Sequence, residues 1–464
     1  MTAVPGANCE PAPRESRADN RLDVAAVIDG AAIGALQVRV FGLCLSVSML
    51  DGFDTQSIAY AAPAIARDLN FGPNEFGLLF SATMAGTAVG AAVLGRIADR
   101  YGRRALITAA VAIFGLMTLG CAMSRGFQSL LIFRFLAGLG LGGAIPNFIA
   151  LASEFAPARA RARLIVVTLW GFPAGAVLGG LISGPLIDRF GWPAVFVFGG
   201  SLPVILAPIL WISLPESIRY LTLRGTAGSR VAATLRRIDP AREFSDATAY
   251  VLPGDARRSA RLIEVFEGRL AAGTLLLGGA LCMSLLLAYL LVYWIPLLFR
   301  QLGMSMGDAR LGTVVLNAGG IAGSYVISRA MDRSRLKLAV LIGFYVIAAL
   351  AVAAMGIPGQ SRWEIMTAVA AVGFFLIGNQ MSLSAFIADY YPSALRATGL
   401  GVTQAMGRCG SLIGPLLAGH LVAAGVSAPQ IFRLGAVPAL IVVGALLALN
   451  TSQAAHPGAG ATDV

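Results

Sequence analysis

Residues 270–298 read LAAGTLLLGGALCMSLLLAYLLVYWIPLL, a stretch in which no side chain is charged. A helix of that length extends about 43 Å at ~1.5 Å per residue, which is enough to cross a hydrocarbon core of ~30 Å. Similar, mainly apolar runs recur along the chain and predict twelve membrane-spanning helices, numbered here as spans 1 to 12. The predicted spans are 38–62, 76–95, 105–124, 127–150, 164–187, 191–213, 270–298, 311–328, 338–357, 364–388, 397–424 and 431–450.

The composition excludes an ordinary soluble protein. Of 464 residues, 57% are hydrophobic and 13% are charged, whereas soluble domains carry ~25% charged residues. The net charge of +11 would suit a nucleic-acid-binding protein, but the basic residues cluster in alternate loops. These clusters follow spans 2, 4 and 8 and contain Arg96, Arg100, Arg103, Arg104, Arg159, Arg161, Arg163, Arg329, Arg333, Arg335 and Lys337. Because positive loops face the cytoplasm, they predict that both termini are cytoplasmic and that no nucleic acid is bound.

The sequence shows no signal peptide, metal-binding motif or disulfide pattern. Residues 1–37 are polar and lack the apolar core and A-x-A site of a signal peptide, so we expect a cytosolic tail. The cysteines have no metal or disulfide spacing; they are Cys9, Cys44, Cys121, Cys282 and Cys409. His420 is a candidate for a proton path, although a place at a helix end near the membrane interface is the favoured explanation. We expect no metal, no cofactor and no enzyme activity.

The second half of the chain repeats the first at an offset of 233 to 235 residues. The matched pairs, first half before second, are Tyr60 and Tyr293, Pro63 and Pro296, Asp99 and Asp332, Arg100 and Arg333, Glu154 and Asp389, Pro157 and Pro392, Arg161 and Arg396, Gly175 and Gly410, and Gly179 and Gly414. Ordered agreement over four segments predicts two parallel six-helix halves, 38–213 and 270–450, with substrate bound between them. A charged cytosolic segment, 214–269, joins the halves, and residues 451–464 form a second cytosolic tail.

The loop after span 2 reads Gly95-Arg-Ile-Ala-Asp99-Arg100-Tyr-Gly102-Arg103-Arg104. Gly95 permits close helix approach, Gly102 permits a turn, and Asp99 suits a helix N-terminus. A purely topological role explains the arginines but not Asp99 with two glycines. The stretch resembles the G-x-x-x-D-R-x-G-R-R loop of the major facilitator superfamily, which implies a latch between the halves on the cytoplasmic side. The repeated stretch, 328–337, keeps Asp332 and Arg333 but lacks both glycines, so we expect a looser latch there.

Away from the ends of the spans, charge is confined to Asp51 and Asp54 in span 1, Arg134 in span 4 and Arg408 in span 11. A charged side chain near the bilayer centre costs at least ~2.5 kcal/mol, so such residues are usually functional. Asp51 and Asp54 are three residues apart and are expected to share one helix face, where they would act together in proton uptake and release. Helix packing, with each carboxylate bonded to Ser or Thr, is the alternative.

The two arginines are candidate receptors for an anionic substrate. Arg408 lies about twelve residues into span 11, near mid-depth at ~1.5 Å per residue. A guanidinium keeps its charge and donates two parallel hydrogen bonds to a carboxylate. Each arginine is alternatively a structural counter-ion of one aspartate, and Arg134 is near enough to an interface to extend towards water.

Further candidates could contact a ring. Tyr293 could stack on an aromatic ligand, and Asn379 and Gln380 could hydrogen-bond a ring hydroxyl. For Tyr293, the alternative is a place in the aromatic belt at the membrane interface. For Asn379 and Gln380, the alternative is hydrogen bonding between helices.

Taken with these residues, the chain resembles the aromatic acid:H⁺ symporter family of the major facilitator superfamily over nearly its whole length. The motifs that carry the resemblance are Leu50-Asp51-Gly52-Phe53-Asp54-Thr55, Ala62-Pro63-Ala64-Ile65, the stretch from Arg134 to Asn147, Gly171-Phe-Pro-Ala-Gly175, Leu214-Pro215-Glu216-Ser217 and Gly407-Arg408-Cys-Gly410. Members import benzoate-type acids, such as 4-hydroxybenzoate and protocatechuate, with protons across the bacterial inner membrane. The resemblance implies roles in uptake for Asp51, Asp54, Arg134, Glu154, Arg396 and Arg408, in a protein that we expect to be monomeric.

Four other functions are weighed against this one. Sugar porters share Pro215-Glu216-Ser217, but span 7 lacks their glutamine pair. A drug:H⁺ antiporter would carry Gly-Pro-x-x-Gly-Gly in span 5, where Gly179-Gly180 instead precedes Gly184-Pro185. Transport of another small organic anion remains an alternative, whereas the joining segment is too short and unpatterned for a signalling receptor.

Overall fold

The computed structural model describes residues 21–224, 228–245, 248–251, 262–392 and 394–454. Long helices occupy all twelve predicted positions, and the predicted span numbers are kept. The spans are Ala35–Leu69, Pro73–Tyr101, Arg103–Ala122, Phe127–Phe155, Ala158–Leu169 with Gly171–Phe190, Pro193–Ser213, Gly268–Gln301, Met306–Arg333, Lys337–Ala354, Arg362–Val372 with Gly373–Ile377 and Gly378–Tyr390, Arg396–Ala423, and Ala428–Ala454.

Within the described residues, eleven of these helices are long and apolar enough to cross a membrane by length and hydropathy alone. The exception is span 11, whose 28 residues include many glycines and the polar side chains of Gln404 and Arg408. Its helix nevertheless packs lengthwise against spans 7 and 2. The predicted all-α fold of two six-helix halves is confirmed.

Packing reproduces the duplication seen in the sequence. In the first half, span 1 packs on span 5, span 2 on span 4, and span 3 on span 6. The second half repeats these three pairs as spans 7 and 11, 8 and 10, and 9 and 12. Spans 2 and 11, spans 5 and 8, and spans 1 and 7 meet across the boundary between the halves.

Glycine is required where the matched helices approach most closely. A Cβ at Gly175 in span 5 would overlap the carbonyl of Met49 in span 1. Its repeat, Gly410 in span 11, lies in the same way against the carbonyl of Cys282 in span 7. These glycines let backbone pack on backbone, a common arrangement between membrane helices.

Residues 21–30 and the described parts of the segment between the halves lie at one face of the helical bundle, here called the termini face. A strand at Arg21–Asp23 pairs in parallel with Ala249–Val251, and the short helix Val24–Gly30 follows it. The joining segment is folded into helices Ile218–Leu223 and Gly228–Ile238 and a 3₁₀ turn at Leu262–Phe266. The two helices pack with the first half, whereas the 3₁₀ turn packs on the second.

Candidate functional site

A cavity of about 290 Å³ lies between the two halves. Both halves contribute to its wall, through spans 1, 2, 4 and 5 on one side and spans 7, 8, 10 and 11 on the other. Its polar side chains are Ser48, Asp51, Thr55, Thr87, Asn317, Ser324, Gln380, Gln404, Arg408 and Ser411. Its aromatic side chains are Phe148, Trp170, Phe172 and Tyr289. A mainly apolar cavity with a few converging polar groups is typical of a small-molecule site.

Asp51 and Arg408 are the two charged residues in this wall, and they come from opposite halves. Asp51 is buried, and the Thr55 hydroxyl one turn later donates a hydrogen bond to it at 3.2 Å. Arg408 is half-buried, and its guanidinium forms no hydrogen bond or ion pair with the described residues. The cavity therefore contains a guanidinium that is free to bind an anion.

Asp54 and Arg134 form a separate, fully buried ion pair. The Nη1 of Arg134 lies 3.3 and 3.2 Å from the two carboxylate oxygens of Asp54, and Nη2 donates to the Asp54 backbone carbonyl at 3.1 Å. The Thr118 hydroxyl donates to the same carboxylate at 2.7 Å, and Arg134 Nε donates to the Thr83 hydroxyl at 3.1 Å. Every charged group in this cluster has a partner inside the first half.

This pairing bears on two expectations from the sequence. Arg134 does not line the cavity and instead pairs with Asp54, the arrangement stated as its alternative. Of the two aspartates, only Asp51 lines the cavity. Three residues of α-helix rotate a side chain by ~300°, leaving Asp51 and Asp54 ~60° apart. That angle is enough for one carboxylate to face the cavity and the other to face spans 3 and 4.

Of the three residues predicted to contact a substrate ring, one lines the cavity and two do not. Gln380 lines the cavity, and its Nε2 is buried without a hydrogen-bond partner among the described residues. Its neighbour Asn379 points away and donates to the Leu341 carbonyl of span 9 at 3.2 Å. Tyr293 also lies outside the cavity, where its ring stacks on Phe80 with centroids 4.8 Å apart. Asn379 and Tyr293 therefore do not line the cavity, whereas Gln380 does.

The sequence did not predict roles for Trp170 and Gln404, which line the cavity. Trp170 lies at the break in span 5, and its indole N–H donates to the Ser324 hydroxyl of span 8 at 3.1 Å. The sequence signal for a break in the helix at this point was the pair of Gly171 and Pro173, which directly follows Trp170. Gln404 precedes Arg408 by one helical turn and so shares its face, a spacing that could have identified it.

A reciprocal amide pair links the halves beside the cavity. Gln56 Nε2 donates to Asn317 Oδ1 at 3.1 Å, and Asn317 Nδ2 donates back to Gln56 Oε1 at 3.0 Å. The Tyr60 hydroxyl donates to the same Gln56 oxygen at 3.0 Å. Spans 1 and 8 are thereby held in register at the level of the site.

The loop after span 2 forms a polar network with the end of span 4 and the start of the joining segment. Arg103 pairs with Glu154, which also accepts a hydrogen bond from the Ser217 hydroxyl. Glu216 accepts the backbone N–H groups of Arg103 and Arg104 at 2.8 and 3.1 Å. Gly102 makes the predicted turn with a φ of 95°.

Gly95 and the Arg100 side chain form no part of this network among the described residues. A Cβ at Gly95 would meet nothing within 4 Å, so the close helix approach expected there is not formed. Arg100 supplies its backbone carbonyl to Tyr220 and Arg224. The side chain of Asp99 lies outside the described part of the structure.

In the second half, Lys337 pairs with Asp389 at 3.1 Å, and Arg396 Nε donates to the Ala388 carbonyl at 2.9 Å. Asp332 and Arg333 are exposed and form no ion pair with the described residues. Among the described residues, the contacts of neither network reach the other half.

Further contacts between the halves lie at the face opposite the termini. The Ser81 hydroxyl of span 2 donates to the Leu412 carbonyl of span 11 at 2.8 Å, and Arg310 of span 8 pairs with Asp188 of span 5 at 3.5 Å. His420 lies 2.9 Å from Asn74 at this face, away from the central cavity. The structure is closed there.

Comparison with known proteins agrees with this architecture. Residues 44–407 match the model of the Major Facilitator Superfamily. The chain is 35% identical over 431 residues to a gallate transporter of Pseudomonas putida, covering 93% of this chain and 95% of that protein. It is also 35% identical to the 4-hydroxybenzoate transporter PcaK of Pseudomonas aeruginosa, covering 92% and 95% of the two chains.

The fold is shared with more distant proteins of known structure. The xylose transporter XylE from E. coli superposes with a TM-score of 0.66 at 16% identity, covering 90% of this chain and 98% of that one. The two-half helical architecture, the cavity between the halves and the extent of the sequence match lead to one assignment: the chain is a multi-pass membrane protein that belongs to the Major Facilitator Superfamily.

Proposed function

We propose that this protein imports an aromatic carboxylic acid of the hydroxybenzoate or benzoate type, together with a proton, by alternating access. The observation that carries the proposal is the unpaired guanidinium of Arg408, which lines a cavity with Asp51 on the opposite wall. Relatives with substantial identity are named as transporters of gallate and 4-hydroxybenzoate, and the aromatic wall suits such ligands.

Arg408 binds the carboxylate in this proposal, because its planar fork matches two carboxylate oxygens. The ring then lies among the aromatic side chains of Trp170 and Tyr289. The free amide of Gln380 is available for a ring hydroxyl. The Asp54–Arg134 pair is already satisfied and holds the first half together.

Proton coupling follows from the charges that face the cavity. With Asp51 ionised and no substrate, the two charged groups of the wall balance. A bound carboxylate neutralises Arg408 and leaves Asp51 as a negative charge near a second anion, which favours a proton on Asp51. Substrate and proton thus enter together, and the loaded centre again carries no net charge when the halves reorient.

The basic loops support an orientation with both termini in the cytoplasm of a bacterial cell and the protein in its inner membrane. In that orientation the closed face is periplasmic, and the structure corresponds to an inward-facing state. The Arg103–Glu154 pair lies at the cytoplasmic face and would rearrange as the halves close there. The proposed transporter acts as a monomer, with the proton gradient as its energy source.

Uptake by proteoliposomes under an imposed pH gradient tests the function. Labelled benzoate and 4-hydroxybenzoate are expected to accumulate, and unlabelled benzoate is expected to compete far better than benzamide. Arg408→Lys keeps the charge but loses the fork, so it should weaken affinity, and Arg408→Gln should nearly eliminate it. Equal competition by benzamide, or normal affinity in Arg408→Gln, would show that the carboxylate is held elsewhere.

A competing assignment to sugar transport makes the opposite prediction. A sugar carries no charge for Arg408, so uptake of a sugar panel should be absent in the wild type. Sugar accumulation without accumulation of aromatic acids would overturn the proposal.

A further inference from the structure

A second cavity, of about 400 Å³, lies at the face opposite the termini. It shares no lining residue with the central cavity. Its wall comes from the ends of spans 1 and 2 in the first half and of spans 7, 8 and 11 in the second. The cavity therefore lies on the boundary between the halves, at the closed side of the molecule.

An aromatic layer separates the two cavities. Trp294 lines the second cavity, packs edge-on against Phe80 and donates its N–H to the Pro415 carbonyl. Tyr293, the next residue in span 7, stacks on the same Phe80 ring. Tyr289, one turn earlier in span 7, lines the central cavity. A ligand in the second cavity would thus lie directly outside the seal above the central site.

The chemistry of the second cavity suits an aromatic anion. Phe71, Phe76 and Trp294 supply aromatic surface, while Arg67 and Arg300 are its charged residues. No acidic side chain lines it among the described residues. Arg300 Nη1 donates to the Met304 carbonyl at 2.7 Å, and Arg67 forms no side-chain hydrogen bond or ion pair with the described residues.

We propose that this outer cavity is a second, recruiting site that binds a small aromatic carboxylate before the central cavity opens to that side. The inference rests on the proposed function for its ligand class and its direction. Arg67 and Arg300 hold the carboxylate, and Phe71, Phe76 and Trp294 contact the ring. Because the two arginines belong to different halves, separation of the halves at this face divides the site and releases the anion towards Arg408.

Thiol protection tests the site without relying on transport. Gln301 lines the outer cavity and is exposed, so Gln301→Cys offers a reporter thiol. The reporter is placed in an Arg408→Gln background, which removes the proposed central carboxylate site. Labelling by a membrane-impermeant maleimide, added from the periplasmic side, is timed with benzoate or benzamide. The parent without the new cysteine gives the background, and Met123→Cys, exposed and outside both cavities, is the matched control.

Benzoate is expected to slow labelling of Gln301→Cys, benzamide is not, and neither should affect Met123→Cys. Adding Arg67→Gln and Arg300→Gln should abolish the protection. In the wild-type background, either substitution should raise the KM of uptake about threefold with unchanged maximal rate, because both arginines are exposed and exposed charge pairs are weak. Added salt should reduce the difference.

Absence of benzoate protection, equal protection by benzamide, or protection that survives the double substitution would each overturn the outer site. A protein that shows protection but takes up no aromatic acid would retain the site and lose the proposed function. A protein that accumulates aromatic acids without protection would retain the function and lose the site.

Discussion

Replacing Arg134 or Arg408 by glutamine removes the same charge from two different environments, a buried ion pair and the wall of the central cavity. Arg134 is fully buried, donates to Asp54 and Thr83, and has no other neutralising carboxylate among its described contacts. In Arg134→Gln, the carboxylate of Asp54 keeps only the hydroxyl of Thr118 and must stay buried. Removing one partner of a buried ion pair costs ~3–5 kcal/mol, because the remaining charge is uncompensated. Arg134→Gln is therefore expected to be severely destabilised.

The matched control is Arg408→Gln. Because the Arg408 guanidinium has no partner among the described residues, its loss should change stability little while it removes substrate binding. The double variant Asp54→Asn with Arg134→Gln leaves no buried charge in the cluster and should recover most of the loss. Thermal unfolding in detergent, followed for all four proteins at one pH and ionic strength, measures the comparison.

The reasoning fails if Arg134→Gln and Arg408→Gln lower the melting temperature equally. It also fails if the double variant is no more stable than Arg134→Gln, because the cost would then not come from an unpaired Asp54. A stable Arg134→Gln that has lost only benzoate affinity would restore Arg134 as a substrate contact.

Three further predictions concern coupling, turnover and packing. Asp51→Asn should abolish substrate accumulation driven by a pH gradient but retain substrate exchange, since an amide cannot carry the proton. Accumulation by this variant at the wild-type level would exclude Asp51 as the coupling site. Glu154→Gln should lower the maximal rate of uptake several-fold with little change in substrate affinity, because the partners of Glu154 lie in the loop network and not in the cavity. The rate and the affinity are measured separately, and a loss of affinity with an unchanged rate would contradict this prediction. Gly410→Val should fail to give folded protein, because the new side chain would overlap a backbone carbonyl of span 7. Gly401→Val should be tolerated, because a Cβ at that position would meet nothing within 4 Å. Size-exclusion chromatography in detergent compares the two variants.

Much of the fold could be predicted because its signals are local. Each apolar run is long enough to span a bilayer, and the repeated residues relate the two halves before any contact is known. The repeat also supports span 11, where hydropathy is weaker than in the other spans, because Gly410 recurs at the position of Gly175. The helix Gly228–Ile238 was not predicted from the charged joining segment, because its buried side chains, such as Val231 and Leu235, face a surface formed only when the first half is assembled.

The sequence by itself determined which ionisable residues lie inside the membrane, since charge in an apolar run is visible without a structure. It also determined the helical halves that carry them. Only the tertiary structure decided their partners: Arg134 closes on Asp54, whereas Arg408 is left facing the cavity that Asp51 lines. The physical reason is that the helix places neighbouring side chains at different angles, about 100° per residue. Which side chain faces the cavity then depends on how the helices rotate when the two halves pack together.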